Sequence, residues 1–341
     1  MQTVDPLCGL YTLDVEGPFR RAMEAYDAED YVVAAEEFSE LAEAGDTASQ
    51  TMLAMMYHNG DGVCQNDVQA TNWFQAAAIQ GQSDAQYQMA VRRSVGQGIE
   101  ADFSEAAEWF RKAAEQGHME AQAELGIVYR MGRGVTRSDT EGAKWYRKAV
   151  AQGHAMAAHA LGNLYLSGSG VSEDPAEAAR YFRLAAEQGD GEGQTDLGLM
   201  YANGSGVALD HVEAVNWLRL AAEQGHPKAA GALGYAYVTG NGVDADYGEA
   251  AKWYLVAADH GFEDCQFNLG LMYFYGDGVE QDEIEALKWF VLSADADSAK
   301  AKDERMAARD DLQARLSETQ MQEADRRLRA WHETRPFNWR Y

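Results

Sequence analysis

Several groups of residues in this 341-residue chain have types and spacings that could do chemistry. Glycine pairs of the form G-x-G recur, and such pairs occur in phosphate-binding loops. Here they lack a preceding strand, a third spaced glycine and a following lysine, so we interpret them as turns. Acidic turns such as GDGVEQDE at residues 276–283 could suggest calcium. Their carboxylates have the spacing of helix caps rather than of an EF-hand loop, which favours capping.

Three histidines, His118, His154 and His226, occupy the same position of a recurring pattern. Equivalent points in neighbouring units should lie about 10 Å apart, because helices pack at that spacing. Three ligands at such distances cannot share one metal ion. We therefore interpret these histidines as turn and cap residues.

The three cysteines, Cys8, Cys64 and Cys265, show neither CxxC spacing nor a regular period. A disulfide framework or a thiolate zinc site is therefore not expected. Cys265 stands where other units have alanine, which predicts a small core residue. No Ser/His/Asp or Cys/His arrangement is evident, although a triad assembled from distant positions would not be visible in a sequence. The sequence thus predicts no catalytic residue, no metal and no cofactor.

The elements that position these residues form a tandem repeat. The G-x-G pairs recur at a step of 36 residues, at positions 60/62, 96/98, 132/134, 168/170, 204/206, 240/242 and 276/278. The spacing predicts residues 1–18 as an N-terminal extension and 19–47 as a partial capping repeat. Seven full repeats follow over 48–299, and 300–341 form C-terminal capping helices with an aromatic and basic tail.

The third repeat shows how each unit is built. Residues Ala121, Leu125 and Val128 have helical spacing and predict one apolar face, on which Gly126 lets a neighbouring helix approach closely. A glycine pair then ends this first helix, since glycine tolerates the left-handed backbone of a C-cap. Aromatic pairs mark the second helix of six repeats, whereas Trp217 is followed by Leu218. A further glycine ends most second helices, but the last repeat has Asp297 at that position.

A capping box is predicted at the start of each second helix. In the third repeat Ser138 would accept a hydrogen bond from the backbone N–H three residues on, and Glu141 would reach back. The corresponding pairs in the other repeats are Asn66/Gln69, Asp102/Glu105, Asp174/Glu177, Asp210/Glu213, Asp246/Glu249 and Asp282/Glu285.

This pattern, A-x-x-x-L-G-x-x-Y-x-x-G-x-G-V followed by a cap, W-Y/F, A-A and a final Gly, resembles the Sel-1-like repeat, a relative of the tetratricopeptide repeat. The resemblance covers roughly residues 20–330. It implies an all-α, right-handed superhelical solenoid of helix-turn-helix units and an adaptor or scaffold role. Two residues depart from the pattern in the second repeat, where Arg93 replaces the tyrosine and Met89 the leucine. We expect that repeat to pack less regularly.

The net charge of −27 bounds the possible partners. Residues 300–341 carry a net of +2, so the rest of the chain carries −29. Nucleic acid and anionic membrane surfaces are disfavoured, and a protein or peptide with a basic surface is favoured. No apolar run approaches the roughly 18 residues of a membrane span. The N-terminus MQTVDPLCGLYTL does not read as a secretory signal, so we expect a cytoplasmic protein, or a periplasmic one if a signal was removed.

A candidate binding surface follows from the related tetratricopeptide arrays, in which the first helix of each pair lines the concave side. The side chains predicted there vary from repeat to repeat, which is where specificity can be encoded. They are Met55, His58, Tyr87, Ile127, Arg130, His159, Asn163, Thr195, Asn203, Tyr235, Phe267, Leu271, Phe274 and Tyr275. The alternative is that some of these aromatics merely pack against neighbours.

Three functions are consistent with the sequence. The first is a non-enzymatic scaffold that holds a peptide or protein in the concave groove. The second, permitted by the family, is a bacterial secretion-linked immunity or regulatory protein that binds a toxin or signalling partner. The third is a β-lactam-binding or hydrolysing enzyme. This is disfavoured because the chain lacks the repeated cysteine pairs of the family members linked to that activity.

The C-terminal tail combines arginines with large rings. We expect Leu328 and Trp331 to close the last repeat and residues 335–341 to dock on a protein surface, because exposed tails rarely carry so many rings. The alternative is a capping helix with a frayed end. The residues of this prediction are Trp331, Arg335, Phe337, Trp339, Arg340 and Tyr341.

Overall fold

The computed structural model describes residues 17–294 and 302–334, and these residues form eighteen α-helices without a strand. The helices are α1 (Pro18–Asp27), α2 (Tyr31–Glu43), α3 (Thr47–Asn59), α4 (Asp67–Ile79), α5 (Ser83–Val95), α6 (Phe103–Glu115), α7 (Met119–Met131), α8 (Asp139–Ala151), α9 (Ala155–Ser167), α10 (Pro175–Ala186), α11 (Gly191–Asn203), α12 (His211–Glu223), α13 (Pro227–Thr239), α14 (Tyr247–Asp259), α15 (Glu263–Tyr275), α16 (Glu283–Ala294), α17 (Lys302–Gln313) and α18 (Glu318–Glu333). The predicted all-α solenoid of helix pairs is confirmed.

The helices belong to two compact units. Among the described residues, the N-terminal unit comprises 17–157 together with Ser169–Ser172, and the C-terminal unit comprises Ala158–Gly168 together with 173–294 and 302–334. Within each unit, a helix packs most closely against the other helix of its own repeat, as α7 does with α8 and α13 with α14.

The glycine on the first helix allows this close packing, as predicted. A Cβ at Gly126 would lie 2.4 Å from the ring of Tyr146 on α8. In the C-terminal unit a Cβ at Gly162 would lie 2.6 Å from Phe182, and one at Gly270 would lie 2.7 Å from Phe290. The ring of the second helix therefore rests on the bare backbone of the first, which is how these aromatics become buried.

The G-x-G pair performs two tasks in each turn. Gly132 ends α7 in the left-handed conformation with φ of 67°. Gly134 also has positive φ, and a Cβ there would lie only 2.1 Å from the carbonyl oxygen of Phe103 in the preceding repeat. The first glycine thus caps a helix, and the second lets the turn touch the start of the previous second helix.

The N-caps of the second helices form as predicted, but the reciprocal half of each capping box was wrong. Ser138 Oγ accepts from the N–H of Glu141, and Asp210 accepts from Val212 and Glu213. The cap's own N–H, which Glu141 was expected to bind, instead donates to the carbonyl of Tyr129 at 2.8 Å. The same bond to the carbonyl nine residues earlier recurs at the caps of the other six repeats.

Two of the partner side chains bond along their own helices instead. Glu141 pairs with Lys144 at 2.5 Å, and Glu177 with Arg180 at 2.8 Å. Within the described residues, a full capping box forms at Ser317 and Gln320 of α18.

The second repeat is regular despite its two unusual residues, so the expected irregularity was wrong. Met89 is fully buried, like the leucines at the same position of other repeats. Helix α5 is 13 residues long, as are α3 and α7. Arg93 pairs with Glu105 at 2.9 Å. A long methionine fills the core, and the arginine keeps its charge at the edge of the helix pair.

The helices α17 and α18 pack on α16 at the C-terminal end. Trp331 meets Trp289 edge to face, with ring centroids 6.1 Å apart, and its Nε1 donates to Asp259 at 3.2 Å. Arg327 bonds to Asp282 at 2.7 Å. These contacts cover the last repeat. Outside the described residues lie Cys8, Asp297, Arg335, Phe337, Trp339, Arg340 and Tyr341.

Candidate functional site

The predicted binding residues all lie on first helices of the repeats, namely α3, α5, α7, α9, α11, α13 and α15. We call these fourteen side chains the first-helix face. Pairs such as Met55/His58, Ile127/Arg130 and His159/Asn163 are three or four residues apart, which places them side by side on a helix surface. The two units are described separately.

A polar group lies at the start of the N-terminal unit's face. His58 Nδ1 is 3.0 Å from Asp67 Oδ1, which also accepts from Arg92 at 3.3 Å and from Gln97 at 3.1 Å. The hydrogen bond from His58, helped by Arg92 and Gln97, lowers the pKa of Asp67. Arg92 is buried where other repeats have an apolar residue, so Asp67 holds a buried cation in place.

The remaining N-terminal face residues are partly buried. The Tyr87 ring stacks on His118 with centroids 4.7 Å apart, and burial raises the pKa of Tyr87. Arg130 Nε lies 3.8 Å from Asp139 Oδ1. Met55 packs against the core, and Ile127 is half-buried.

The histidines His118 and His154 act as caps, as predicted. His118 Nδ1 accepts from the N–H of Ala121 and His154 Nδ1 from that of Ala157, both at 3.2 Å. His226 stands at the same position, but Pro227 follows it and the histidine side chain makes no cap bond. Among the described residues, no group of three His, Cys, Asp or Glu side chains could hold a metal ion.

A second polar group lies on the C-terminal unit's face and joins three repeats. His159 Nε2 lies 2.9 Å from Asp196 Oδ2, and Lys228 Nζ lies 2.8 Å from Asp196 Oδ1. Asn163 Nδ2 lies 3.2 Å from His159 Nε2. Burial alone would raise the pKa of Asp196, but the hydrogen bonds from His159 and Lys228 outweigh it and lower the pKa.

One residue of the predicted face is not accessible at the surface. Thr195 is buried, at 1% exposure, and its hydroxyl donates to the carbonyl of Gly191 at 2.7 Å. The prediction placed it outward from helical spacing alone. A short side chain that bonds to its own helix backbone stays below the surface made by longer neighbours.

Two predicted residues, Asn203 and Tyr235, line the same pocket. It has a volume of about 220 Å³ and lies between α11, α12 and α13, where it is also lined by Leu199, His211 and Asn241. Tyr235 is 58% exposed, so most of its ring is available at the surface. We call this the α11–α13 pocket.

The four face residues of α15 divide into two kinds. Phe267, Leu271 and Phe274 pack against the core of the last repeat and its C-terminal helices, and the Phe267 and Phe290 ring centroids lie 5.5 Å apart. Tyr275 is 65% exposed, although its ring meets that of Phe274 edge to face. Phe267, Leu271 and Phe274 therefore pack against neighbours, which is the alternative that the sequence left open for this surface.

Sequence reasoning missed several side chains of this surface. Asp196 and Lys228 lie beside the predicted positions, and their pairing depends on contacts between repeats. The pocket was also missed, although one signal for it was visible, because Leu218 breaks the run of paired aromatics.

No helix within residues 17–294 and 302–334 is long and apolar enough to cross a membrane. No curated protein matches the chain significantly.

Solved structures similar to this chain include three bacterial proteins. A Sel1 repeat protein from Oxalobacter formigenes is 31% identical, with 71% of this chain and 97% of that chain covered and a TM-score of 0.63. The c5321 protein, a protective antigen present in uropathogenic Escherichia coli strains displaying an SLR fold, is 28% identical over 93% and 83%, with a TM-score of 0.47. Immunity protein Pa5087 from Pseudomonas aeruginosa is 21% identical over 68% and 83%, with a TM-score of 0.37.

A family model for the Sel1 repeat matches seven consecutive segments, at residues 47–82, 83–118, 120–154, 155–190, 191–226, 227–262 and 263–298. These segments account for most of the chain and have the period of the helix pairs. The chain therefore belongs to the Sel1 repeat family.

Proposed function

We propose that this protein is a non-enzymatic adaptor that holds a peptide or protein segment on its first-helix face. Repeated residues build the core and turns of each repeat, whereas the face residues differ from repeat to repeat. A repeat array keeps its core between neighbouring helices and leaves this face available to a ligand. Variation on a regular frame is what recognition of one particular partner requires.

The observation that carries the proposal is the α11–α13 pocket with Tyr235 at its edge. Tyr235 is 58% exposed beside a concave pocket, so a partner that covers its ring gains free energy by removing apolar surface from water. Tyrosine is also among the residues that contribute most to binding energy at protein interfaces.

The expected partner segment is basic. Close in sequence to the pocket-lining residues His211 and Asn241, the residues Asp210, Asp244 and Asp246 are exposed, and no Lys or Arg occurs at residues 199–218 or 229–251. A partner carrying lysine or arginine would be attracted to this region and would be oriented by it.

The test is a selection of random peptides displayed on phage against the full-length protein. Enriched peptides should bind the wild type and lose about tenfold or more in affinity with Tyr235→Ala, because truncating a central interface aromatic removes at least roughly 1.4 kcal/mol. Tyr247→Ala is the matched control, since Tyr247 is 46% exposed but does not line the pocket. Failure to enrich any binding peptide, or equal losses with both variants, would refute the proposal.

A further inference from the structure

The α11–α13 pocket exists because this part of the chain departs from its own repeat. At the buried ring position of the second helix, the seven repeats carry Phe74, Phe110, Tyr146, Phe182, Leu218, Tyr254 and Phe290. Leu218 alone in this series is not aromatic, and it lines the pocket. Replacing a ring with a leucine removes volume from a packed interior and leaves a space unless neighbours fill it.

The neighbours do not fill that space, because they are small as well. At the position of Ala236, the other repeats have Met56, Arg92, Val128, Leu164, Met200 and Met272. At the position of Ala202, they have His58, Ser94, Arg130, Leu166, Val238 and Phe274. Ala202 and Ala236 both line the pocket with Leu218. Three substitutions that each reduce volume thus converge on one place.

The size and chemistry of the pocket indicate what fits. Its volume of about 220 Å³ is below the roughly 300–1,000 Å³ of typical small-molecule sites and suits a single large side chain. Its floor is aliphatic, from Leu199, Val215 and Leu218, while Asn203 and Asn241 supply amide groups among its lining residues. An asparagine amide can both donate to and accept from a peptide backbone.

We infer that the pocket binds one large apolar side chain, aromatic or leucine-sized, from an extended partner segment whose flanking residues are lysine or arginine. This inference rests on the proposed function and specifies its ligand. The side chain fills the space left by Leu218, Ala236 and Ala202. The asparagines hold the adjacent backbone, and the exposed carboxylates of Asp210, Asp244 and Asp246 attract the flanking cations.

The test uses substitutions that restore the repeat pattern. Leu218→Phe and Ala236→Met place into the pocket the residue types found at the same positions in neighbouring repeats. The phenylalanine has a place to rest, because Gly198 faces Leu218 as Gly162 faces Phe182. These variants should therefore fold with an unchanged or higher Tm, and they should fill the pocket. Leu220→Phe is the matched control, because Leu220 lies on the same helix, is 47% exposed and does not line the pocket.

The probes are short synthetic peptides with a central Trp, Leu or Ala flanked by Lys, measured by fluorescence anisotropy. The wild type and Leu220→Phe should bind the Trp and Leu peptides about tenfold or more tightly than the Ala peptide, because a large side chain is buried. The Leu218→Phe and Ala236→Met variants should bind all three peptides only as tightly as the wild type binds the Ala peptide.

Selectivity that survives in Leu218→Phe, or equal binding of all three peptides by the wild type, would overturn the inference. If the wild type binds all three peptides equally but Tyr235→Ala still weakens their binding, the proposed function stands while the pocket inference fails. If no peptide binds and phage selection also enriches none, both fail.

Discussion

At the scale of single residues, the charges of the C-terminal unit's first-helix face are paired between repeats rather than within them. Asp196 lies in the fifth repeat, His159 in the fourth and Lys228 in the sixth. The Asp196 side chain is only 16% exposed, so its two hydrogen bonds form in a partly desolvated place. A single carboxylate therefore ties together three consecutive first helices.

Removing this carboxylate should destabilise the protein in a pH-dependent way. Asp196→Asn should lower the free energy of unfolding by about 1–2 kcal/mol near neutral pH, because the carboxylate's bonds with His159 and with the charged amine of Lys228 are lost. The pKa of Asp196 is lowered in the folded state. Its stabilisation is therefore fully present above the unfolded pKa of about 3.9 and is lost as the pH falls through the folded pKa. Urea unfolding at a series of pH values should show the gap between wild type and variant closing on acidification.

The control for this prediction is Asp244→Asn, which removes an equal charge from an exposed turn. It should change the free energy of unfolding by less than about 0.5 kcal/mol at every pH. Parallel profiles for the wild type and Asp196→Asn would show that the bonds to His159 and Lys228 do not stabilise the fold.

At the scale of the helix pair, the two glycines of each turn have different costs of replacement. In the second repeat, Gly96 and Gly98 have φ of 76° and 68°, so an alanine at either would be strained. A Cβ at Gly96 would meet its nearest neighbour, Ala101 Cβ, at an ordinary 3.5 Å. A Cβ at Gly98 would lie 2.1 Å from the carbonyl oxygen of Asp67, which is backbone and cannot rotate away.

Alanine substitution should therefore separate capping from contact. Gly96→Ala should cost about 1–2 kcal/mol for left-handed backbone alone. Gly98→Ala should cost about 1–3 kcal/mol more, because α4 must shift away from the turn. Chemical denaturation of the two variants measures the difference. Equal costs would mean that the second glycine is needed only for its conformation.

The helices, their ends and their caps could be predicted from sequence because they depend on local signals repeated seven times. The reciprocal bond of Glu141 could not be predicted, because the backbone N–H of Ser138 donates instead to the carbonyl of Tyr129 in the preceding helix. Gln122 illustrates the same limit. It is buried, donates to the carbonyl of Ala114 and accepts from Gln152, the C-cap of the same repeat's second helix. Its polarity alone would place it at the surface.

The candidate site was predictable only in part. Helical spacing placed Asn203 and Tyr235 on the correct face, because spacing determines direction. It did not distinguish buried Thr195 from its exposed neighbours, nor did it show that Phe267 and Phe274 pack against the core of the last repeat. Depth depends on what packs above a residue, and that is a property of several elements together.

At the scale of the whole molecule, acidity is the dominant property. The net charge is −27, and many of its carboxylates cap helices or pair with nearby lysines and arginines, as Asp210 and Glu249 do. Charges used in this way still contribute to the field around the protein. The affinity for the proposed basic partner and the rate at which it associates should therefore both depend on ionic strength.

The binding of a Lys-flanked Trp peptide should weaken as salt is added. The Debye length falls from about 10 Å at 0.1 M to about 3 Å at 1 M, which removes attraction between the peptide and carboxylates that it does not touch. Stopped-flow fluorescence should show the association rate constant falling several-fold over this range, with a smaller change in the dissociation rate constant, because long-range fields act mainly on encounter. A Trp peptide flanked by serine should show little salt dependence, since apolar burial in the α11–α13 pocket would remain its main source of affinity. If both peptides respond equally to salt, the acidic field does not select the partner, and recognition depends on the pocket alone.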